Sequence, residues 1–448
     1  MKQKAFAVKQ YRVRQVAFDG FCQPPANDGS FCADVNYGCE IRNGRLEGGA
    51  GLKYFNLNGA ETVLPREVVT YGIGFCRYGT TTGVGDLPLL STSSGVWYYS
   101  EGDVAFKRSL TVANEVAFVN LPMENGNTNV AIILQNGGLW MHGIGMWFSK
   151  KYDGPCVSTG CVYKGRLFIV EPGKKIRYSA LYDYGNFTDS ADEGGYIDLT
   201  ENARNIRQLI AAGDSVYCLC DNALFRLTNV DDAAREFRLE KVAYGGGQIA
   251  KNSGAACGDK LVFLAAEGLY TVCRGVVKRL ETGFSAGCIL QGGSNRAVAT
   301  ENRYYLTGLD IYLNNVMWAV DLTTGAAYRT EYVQALSRYD GRAFGIYDGR
   351  LVELEKGYTL PSGFSVERKG ENFGSIKEKT LRKIRLIGSG EGKITVRGNN
   401  GTVETGVQLT ESGVDVPVAL KGKTFDVKVS VGAHSVVLGI VAEIVELA

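Results

Sequence analysis

A two-turn phrase recurs along this chain and limits what the chain can fold into. Each copy has a charged or amide turn, an alternating apolar run, a second glycine or asparagine turn, and another alternating run. It reads Lys164-Gly165-Arg166 then LFIVE; Gly213-Asp214 then SVYCLC, Asp221-Asn222 and ALFRL; Gly258-Asp259-Lys260 then LVFLAA, Glu267-Gly268 and LYTV. It fades through Glu301-Asn302-Arg303 with YYLTGL. It returns as Asp340-Gly341-Arg342 with AFGIY, then Asp348-Gly349-Arg350 with LVELE. Turns about 40–48 residues apart have the spacing of four-stranded propeller blades. One blade cannot cover both of its faces, whereas stacked blades can. The repeat therefore predicts one large radial β structure.

The rest of the chain fits an all-β fold. At 448 residues it is long enough for two or three units. Its 58 glycines and 9 prolines suit many tight turns between strands. The predicted organisation is an irregular β-rich segment over 1–90 (platform or first blade), a β-propeller of about six to eight blades over 91–356, and an antiparallel β-sandwich over 366–448. Gly357–Gly363, with Pro361, reads as the linker. The best helical segment is a turn or two near Asp231–Arg238, on a blade connection.

Charge and cysteine content exclude several classes. With 49 basic against 47 acidic residues, the whole surface is not an electrostatic nucleic-acid binder, although a local basic stripe remains open. Eleven irregularly spaced cysteines do not make a disulfide framework. Cys218, Cys220 and Cys273 sit in apolar runs as small hydrophobes, which suits a reducing compartment. The opening MKQKAFAVKQYRVRQ lacks the apolar core of a signal peptide, and no apolar stretch reaches membrane-spanning length. A soluble protein without a sorting address is expected.

Catalytic patterns are weak. His142 and His434 are the only histidines, which disfavours triads and His-rich metal sites. His142, between Trp140 and Trp147, reads as a partly buried ring in an aromatic patch. Gly283-Phe284-Ser285-Ala286-Gly287 matches a nucleophile elbow, but its flanks are strand-like and no helix follows. Ser190–Gly194 resembles the start of an Asp-box, from which Tyr196-Ile197 departs; the carboxylates around it (Asp183, Asp189, Asp192, Glu193, Asp198) read as a solvated loop. Cys218-x-Cys220 and Cys156-x4-Cys161 lack the second ligand pair that zinc requires. Gly245–Gly247 and Gly388–Gly392 lack the Lys-Ser/Thr of a phosphate loop. No catalytic, cofactor-binding or metal residue is assigned, and a non-enzymatic protein without cofactors is expected.

One basic cluster stands out, Lys377–Arg385. Period-two alternation places Lys379 and Lys383 with Leu381 and Arg385, and Thr380, Arg382 and Ile384 opposite. It reads as a charged, aggregation-resistant edge strand. The sharper alternative makes Lys377, Lys379, Arg382 and Lys383 contacts to another subunit or to DNA phosphate. Abundant tyrosine (24) leaves a further reading, in which Trp97, Tyr98, Tyr99, Tyr182 and Tyr184 stack on sugars in a carbohydrate-binding or glycoside-cleaving propeller. A cellular propeller scaffold that binds a peptide or protein on one face is a third.

Lys164-Gly165-Arg166-Leu167-Phe168 leads into Lys175-Ile176-Arg177-Tyr178-Ser179 and then Asp183-Tyr184-Gly185-Asn186-Phe187. This order resembles the propeller of tail nozzle proteins of short-tailed bacteriophages, the tail tubular protein B and packaged-DNA stabilisation family. Asn205–Ile210 with Gly213–Tyr217 and Leu224–Leu227 resembles that family's next blade, and Gly254–Cys257 with Leu261–Leu264 and Glu267–Tyr270 the one after. The resemblance covers 163–270 well, the rest of the propeller loosely, and the termini by layout only. It implies a structural virion protein of the tail, assembled in the host cytoplasm. Six copies would form a ring below the portal and adaptor proteins, continue the channel for duplex DNA, retain the genome until ejection, and dock tail fibres or spikes. The first 90 residues and the cysteine content depart from that pattern.

Overall fold

The computed structural model describes residues 9–15, 33–42, 45–57, 60–64, 69–80, 83–100, 105–111, 115–143, 148–190, 193–199, 205–231, 236–280, 282, 295–310, 312–356, 363–433 and 435–447. All regular structure among them is β-strand. Of the segment read as a helical turn, 232–235 lies outside the described residues and the flanking residues are strand instead: Leu224–Asp231 pairs with Glu236–Val242, and the hydrophobic Phe237 and Leu239 pack on the neighbouring blade.

Among the described residues, seven four-stranded blades follow one another, their strands falling within 70–110, 116–152, 157–198, 206–242, 255–279, 296–330 and 334–356, the last completed by Ala50–Tyr54. The first strand of each blade touches the first strand of the next, and that of blade 7 touches that of blade 1, so the ring closes. Alternation explains why these runs form blades. In Ser215–Cys220, Val216, Cys218 and Cys220 enter the core shared with blade 3, while Tyr217 and Leu219 enter the core shared with blade 5. In Lys260–Ala265, Val262 and Leu264 face blade 6, and Leu261, Phe263 and Ala265 face blade 4. Each large side chain so covered contributes about 1.5–3 kcal/mol. The recurrent turns supply the reversal: Asp340 and Gly341 adopt φ of 49° and 75°, and Asp348 and Gly349 adopt 48° and 69°. Two successive left-handed residues match the twist of a hairpin.

The first 90 residues are not one segment. Lys9–Gln15, Ala33–Tyr37 and the hairpin Cys39–Arg42/Arg45–Gly48 belong to the C-terminal sandwich, pairing with Val436–Leu447 and Phe364–Glu371. Ala50–Tyr54 then becomes the outer strand of blade 7, with Leu52 opposite Leu354. Thr70–Thr80 and Gly83–Thr92 are the two inner strands of blade 1, so the expected boundary at 90 falls inside that blade. Pairing partners hundreds of residues away made this division invisible to a local reading.

The sandwich, here called the platform, is organised by the long strand Lys379–Gly398. Its first half pairs with Val414–Gly422 and Val436–Leu447, its second half with Gly401–Leu409 and Phe425–Val431. The crossover is the Gly388–Gly392 run. A Cβ at Gly388 would lie 2.1 Å from the Val436 carbonyl oxygen, so this glycine serves close backbone approach. Cys39 and Leu46 from the N-terminal hairpin share a core with Leu381, Ile384, Val427 and Ile444. The platform meets the propeller at the outer strand of blade 6, where Tyr37 pairs with Arg329.

Candidate functional site at the mouth of the propeller axis

The starts of the inner strands converge around the propeller axis. Glu115, one residue before blade 2, reaches across to blades 5 and 6. Its carboxylate accepts from Lys251 Nζ at 3.0 Å, Asn252 Nδ2 at 3.2 Å and Arg296 Nη2 at 2.7 Å. Burial opposes the charged carboxylate, but Arg296 and Lys251 outweigh that penalty and hold Glu115 below the ordinary carboxylate range. This latch spans the axis. The space beyond it is a cavity of about 280 Å³ lined by inner-strand residues of all seven blades, among them Gly72, Gly160 and Gly254. Outside the latch, blades 1, 6 and 7 enclose a second depression of about 610 Å³ bordered by Thr70, Tyr71, Asn315, Tyr332 and Gln334.

A different set of charges stitches blade 1 to blade 7. Arg77 Nε lies 2.7 Å from Asp86 and its Nη2 lies 2.9 Å from Asp340, while the Tyr339 hydroxyl donates to Asp86 at 2.7 Å. Burial raises Asp86, yet the Arg77 and Tyr339 hydrogen bonds bring it below its usual range. Phe75 stacks on Tyr339 at 4.7 Å. These groups secure the seam where the ring closes.

The blade 3 motif is a clamp. Buried Arg166 donates to the carbonyls of Ser179 at 2.8 Å and Glu193 at 3.0 Å. Ser179 Oγ accepts from Leu167 N and donates to Ala180 O, while Tyr184 donates to Pro122 O of blade 2. The G-R-L-F, I-x-Y-S and D-x-x-N-F pieces thus form one unit.

The basic cluster does not form one exposed face. Lys379 is 2% exposed, donates to the carbonyls of Ser375 and Lys423, and is pushed below the usual lysine range by burial. A register shift between Leu381 and Lys383 inverts the alternation, so Leu381, Ile384 and Leu386 point inward while Arg382 and Arg385 point outward. Arg382 pairs with Glu443, and Lys383 with Asp415 and Glu443. Lys377 is exposed on the preceding loop. Lys379 is therefore no contact for DNA or a neighbour, and Arg382 and Lys383 have partners within the chain.

The other sequence candidates resolve plainly. His142 is buried against Phe148 and Tyr98, and burial pushes it down to about 4. Burial pushes Cys156, Cys161 and Cys220 up to about 12, as expected of thiols packed among apolar groups. No group of three or more metal-ligating side chains occurs among the described residues. Gly283–Gly287, Asp192 and His434 lie outside the described residues. Of the aromatic set, Tyr99 and Tyr184 are core, and Trp97 donates to Thr92 and Ser94. Tyr182 is exposed near the Gly165 turn. The latch residues Glu115, Lys251 and Arg296 escaped the sequence reading, because each alone resembles an ordinary surface charge.

These features define a closed β-propeller carrying a woven β-sandwich platform. No family model matches the sequence, and no curated protein matches it. Among solved structures, the chain is similar to the extracellular domain of a hybrid two-component system of B. thetaiotaomicron, at 11% identity and a TM-score of 0.41, covering 80% of this chain and 47% of that one. It is also similar to a puromycin hydrolase mutant (12% identity, TM-score 0.42, 68% of this chain and 52% of that one) and to a chain of a mitotic checkpoint complex (10%, 0.40, 68% and 98%). The chain thus spans about half the length of the first and second of these. Its fold assignment rests on the ring of seven blades itself. No helix among the described residues is long and apolar enough to cross a membrane.

Proposed function

We propose that this protein is a non-enzymatic structural subunit of a short-tailed phage tail, a nozzle protein whose copies form a ring that conducts and retains DNA. The observation that carries the reading is the interlock between platform and propeller. Strands from both ends of the chain pair in the platform, and the chain leaves its Cys39–Gly48 hairpin directly into the strand that closes blade 7. Load applied to either body reaches the other through paired backbone rather than through a loose linker. The blade 3 motif that resembles the nozzle family's, and which ties successive strands of that blade together, supports the same reading.

In this reading the DNA path runs between subunits. The propeller's own axis is spanned by Glu115 with Lys251 and Arg296, and its cavity of about 280 Å³ is far too small for a duplex. Mass measurement and cryo-electron microscopy of the purified protein test the proposal. The expected particle is a hexameric ring with an opening on the symmetry axis wide enough for duplex DNA. A protein that stays monomeric at high concentration and with portal and adaptor present, or that turns over a substrate, would refute it.

A further inference from the structure

We propose that the depression between blades 1, 6 and 7, just outside the axial latch, binds a neutral saccharide. The inference does not depend on the virion reading. The depression has a volume of about 610 Å³, within the range of roughly 300–1,000 Å³ typical of small-molecule sites. That is room for roughly one or two sugar rings.

Its chemistry narrows the ligand. Glu115 and Arg296 are the charged side chains among its described lining residues, and they face each other at 2.7 Å. An anion therefore meets a carboxylate beside the guanidinium, and a cation meets the reverse. The remaining polar groups are uncharged; Thr307 donates to the Arg296 carbonyl oxygen at 3.3 Å, and the others are uncommitted. Thr70 Oγ1 is buried at the wall with no hydrogen-bond partner. The side chains of Tyr71, Asn315, Tyr332 and Gln334 make no hydrogen bond to another described residue. Hydroxyls and amides of this kind both donate and accept. Val69 and Ala335 lie beside the two tyrosines and add apolar surface. A ligand that satisfies this wall is uncharged, dense in hydroxyl groups that donate and accept, and bears C–H faces for aromatic rings. Saccharides meet all three conditions. Exposed Val69 and partly exposed Tyr71 leave the entrance open to solvent.

The test uses the full chain. Saturation-transfer NMR and titration calorimetry would be run with glucose, galactose, mannose, N-acetylglucosamine, maltose and lactose. At least one should bind with a dissociation constant in the millimolar range or tighter. Gln334→Ala changes an exposed side chain and should weaken that binding about tenfold; Tyr332→Phe keeps the packing, removes the hydroxyl, and should weaken it about threefold. The thermal midpoint of both variants should match that of the parent. The proposal is overturned if no member of the panel binds, or if binding is unchanged in both variants. It is equally overturned if inorganic phosphate competes for the site and is lost on Arg296→Gln, since the depression would then recognise charge.

Discussion

Blade 4 and the platform are both antiparallel β-structure with buried faces, yet they are assembled differently. Every strand of blade 4 pairs with its sequence neighbour, as in Ile206–Ala212 with Ser215–Cys220. The platform pairs Lys9 with Leu447 and Ala33 with Lys369. Local pairing closes short loops at small entropic cost and leaves a periodic mark on the sequence; distant pairing does neither. The complete platform therefore needs strands from both 9–48 and 364–447, and its integrity reports on the N-terminal strands as well as on the C-terminal ones.

The largest effect should come from removing residues 1–48. This deletes Lys9–Gln15 and Ala33–Tyr37, each of which covers one side of Val436–Leu447 or Phe364–Glu371, and takes Cys39 and Leu46 out of the platform core. Limited proteolysis read by mass spectrometry should then cut throughout 364–447 while fragments spanning blades 3 to 5 persist. Equal protection of both regions would show that the platform stands without its N-terminal strands.

Two glycine substitutions sharpen the contrast at the level of a single atom. At Gly388 a new Cβ meets backbone at 2.1 Å; at Gly341 it meets nothing within 4 Å, and only the φ of 75° resists it. Gly388→Ala should destabilise the platform by about 3 kcal/mol or more, because neither backbone can yield. Gly341→Ala should cost the propeller about 1 kcal/mol, the penalty of a left-handed alanine. Denaturant titration with probes in each region would separate the two. Similar losses would mean that the crossover is softer than its geometry indicates.

Acid should act first on the propeller, through His142. Burial pushes its folded-state value down to about 4 from the ordinary histidine value of 6.5. The unfolded chain therefore takes up the proton first on acidification. Stability from this group is fully present above 6.5, falls as pH drops, and is lost by about 4, a total of about 3 kcal/mol. His142→Phe should flatten that part of the pH–stability profile. An unchanged slope between pH 6.5 and 4 would assign the acid response to other groups.

What was legible follows the same division. Lys164-Gly165, Gly213, Gly258 and Asp340-Gly341 announced blades because a hairpin turn and its flanking alternation are written within a dozen residues. The closing strand Ala50–Tyr54 was not legible, since its partner Arg350–Lys356 lies at the far end of the propeller. The latch was not legible for the same reason: Glu115 meets Lys251 and Arg296 only after the ring has closed. The basic run Lys377–Arg385 was read as a short edge strand, whereas Lys379–Gly398 is one long strand whose first half is paired on both sides, and one register shift reversed the faces assigned to its basic residues. Period-two reasoning is that sensitive, because a single extra residue exchanges inside for outside.

The smallest effect belongs to that basic strand. Arg382 and Lys383 are substantially exposed and share Glu443, with Asp415 as a second partner of Lys383. Exposed pairs gain little Coulomb energy in water and lose side-chain freedom. The double variant Arg382→Ala/Lys383→Ala should therefore leave the unfolding midpoint unchanged. It should also leave the salt dependence of non-specific DNA retention unchanged, because each cation already faces a carboxylate of its own chain. A loss of roughly one unit of salt slope for each residue would show that DNA displaces those carboxylates. The platform would then hold a phosphate-binding face that its internal ion pairs conceal.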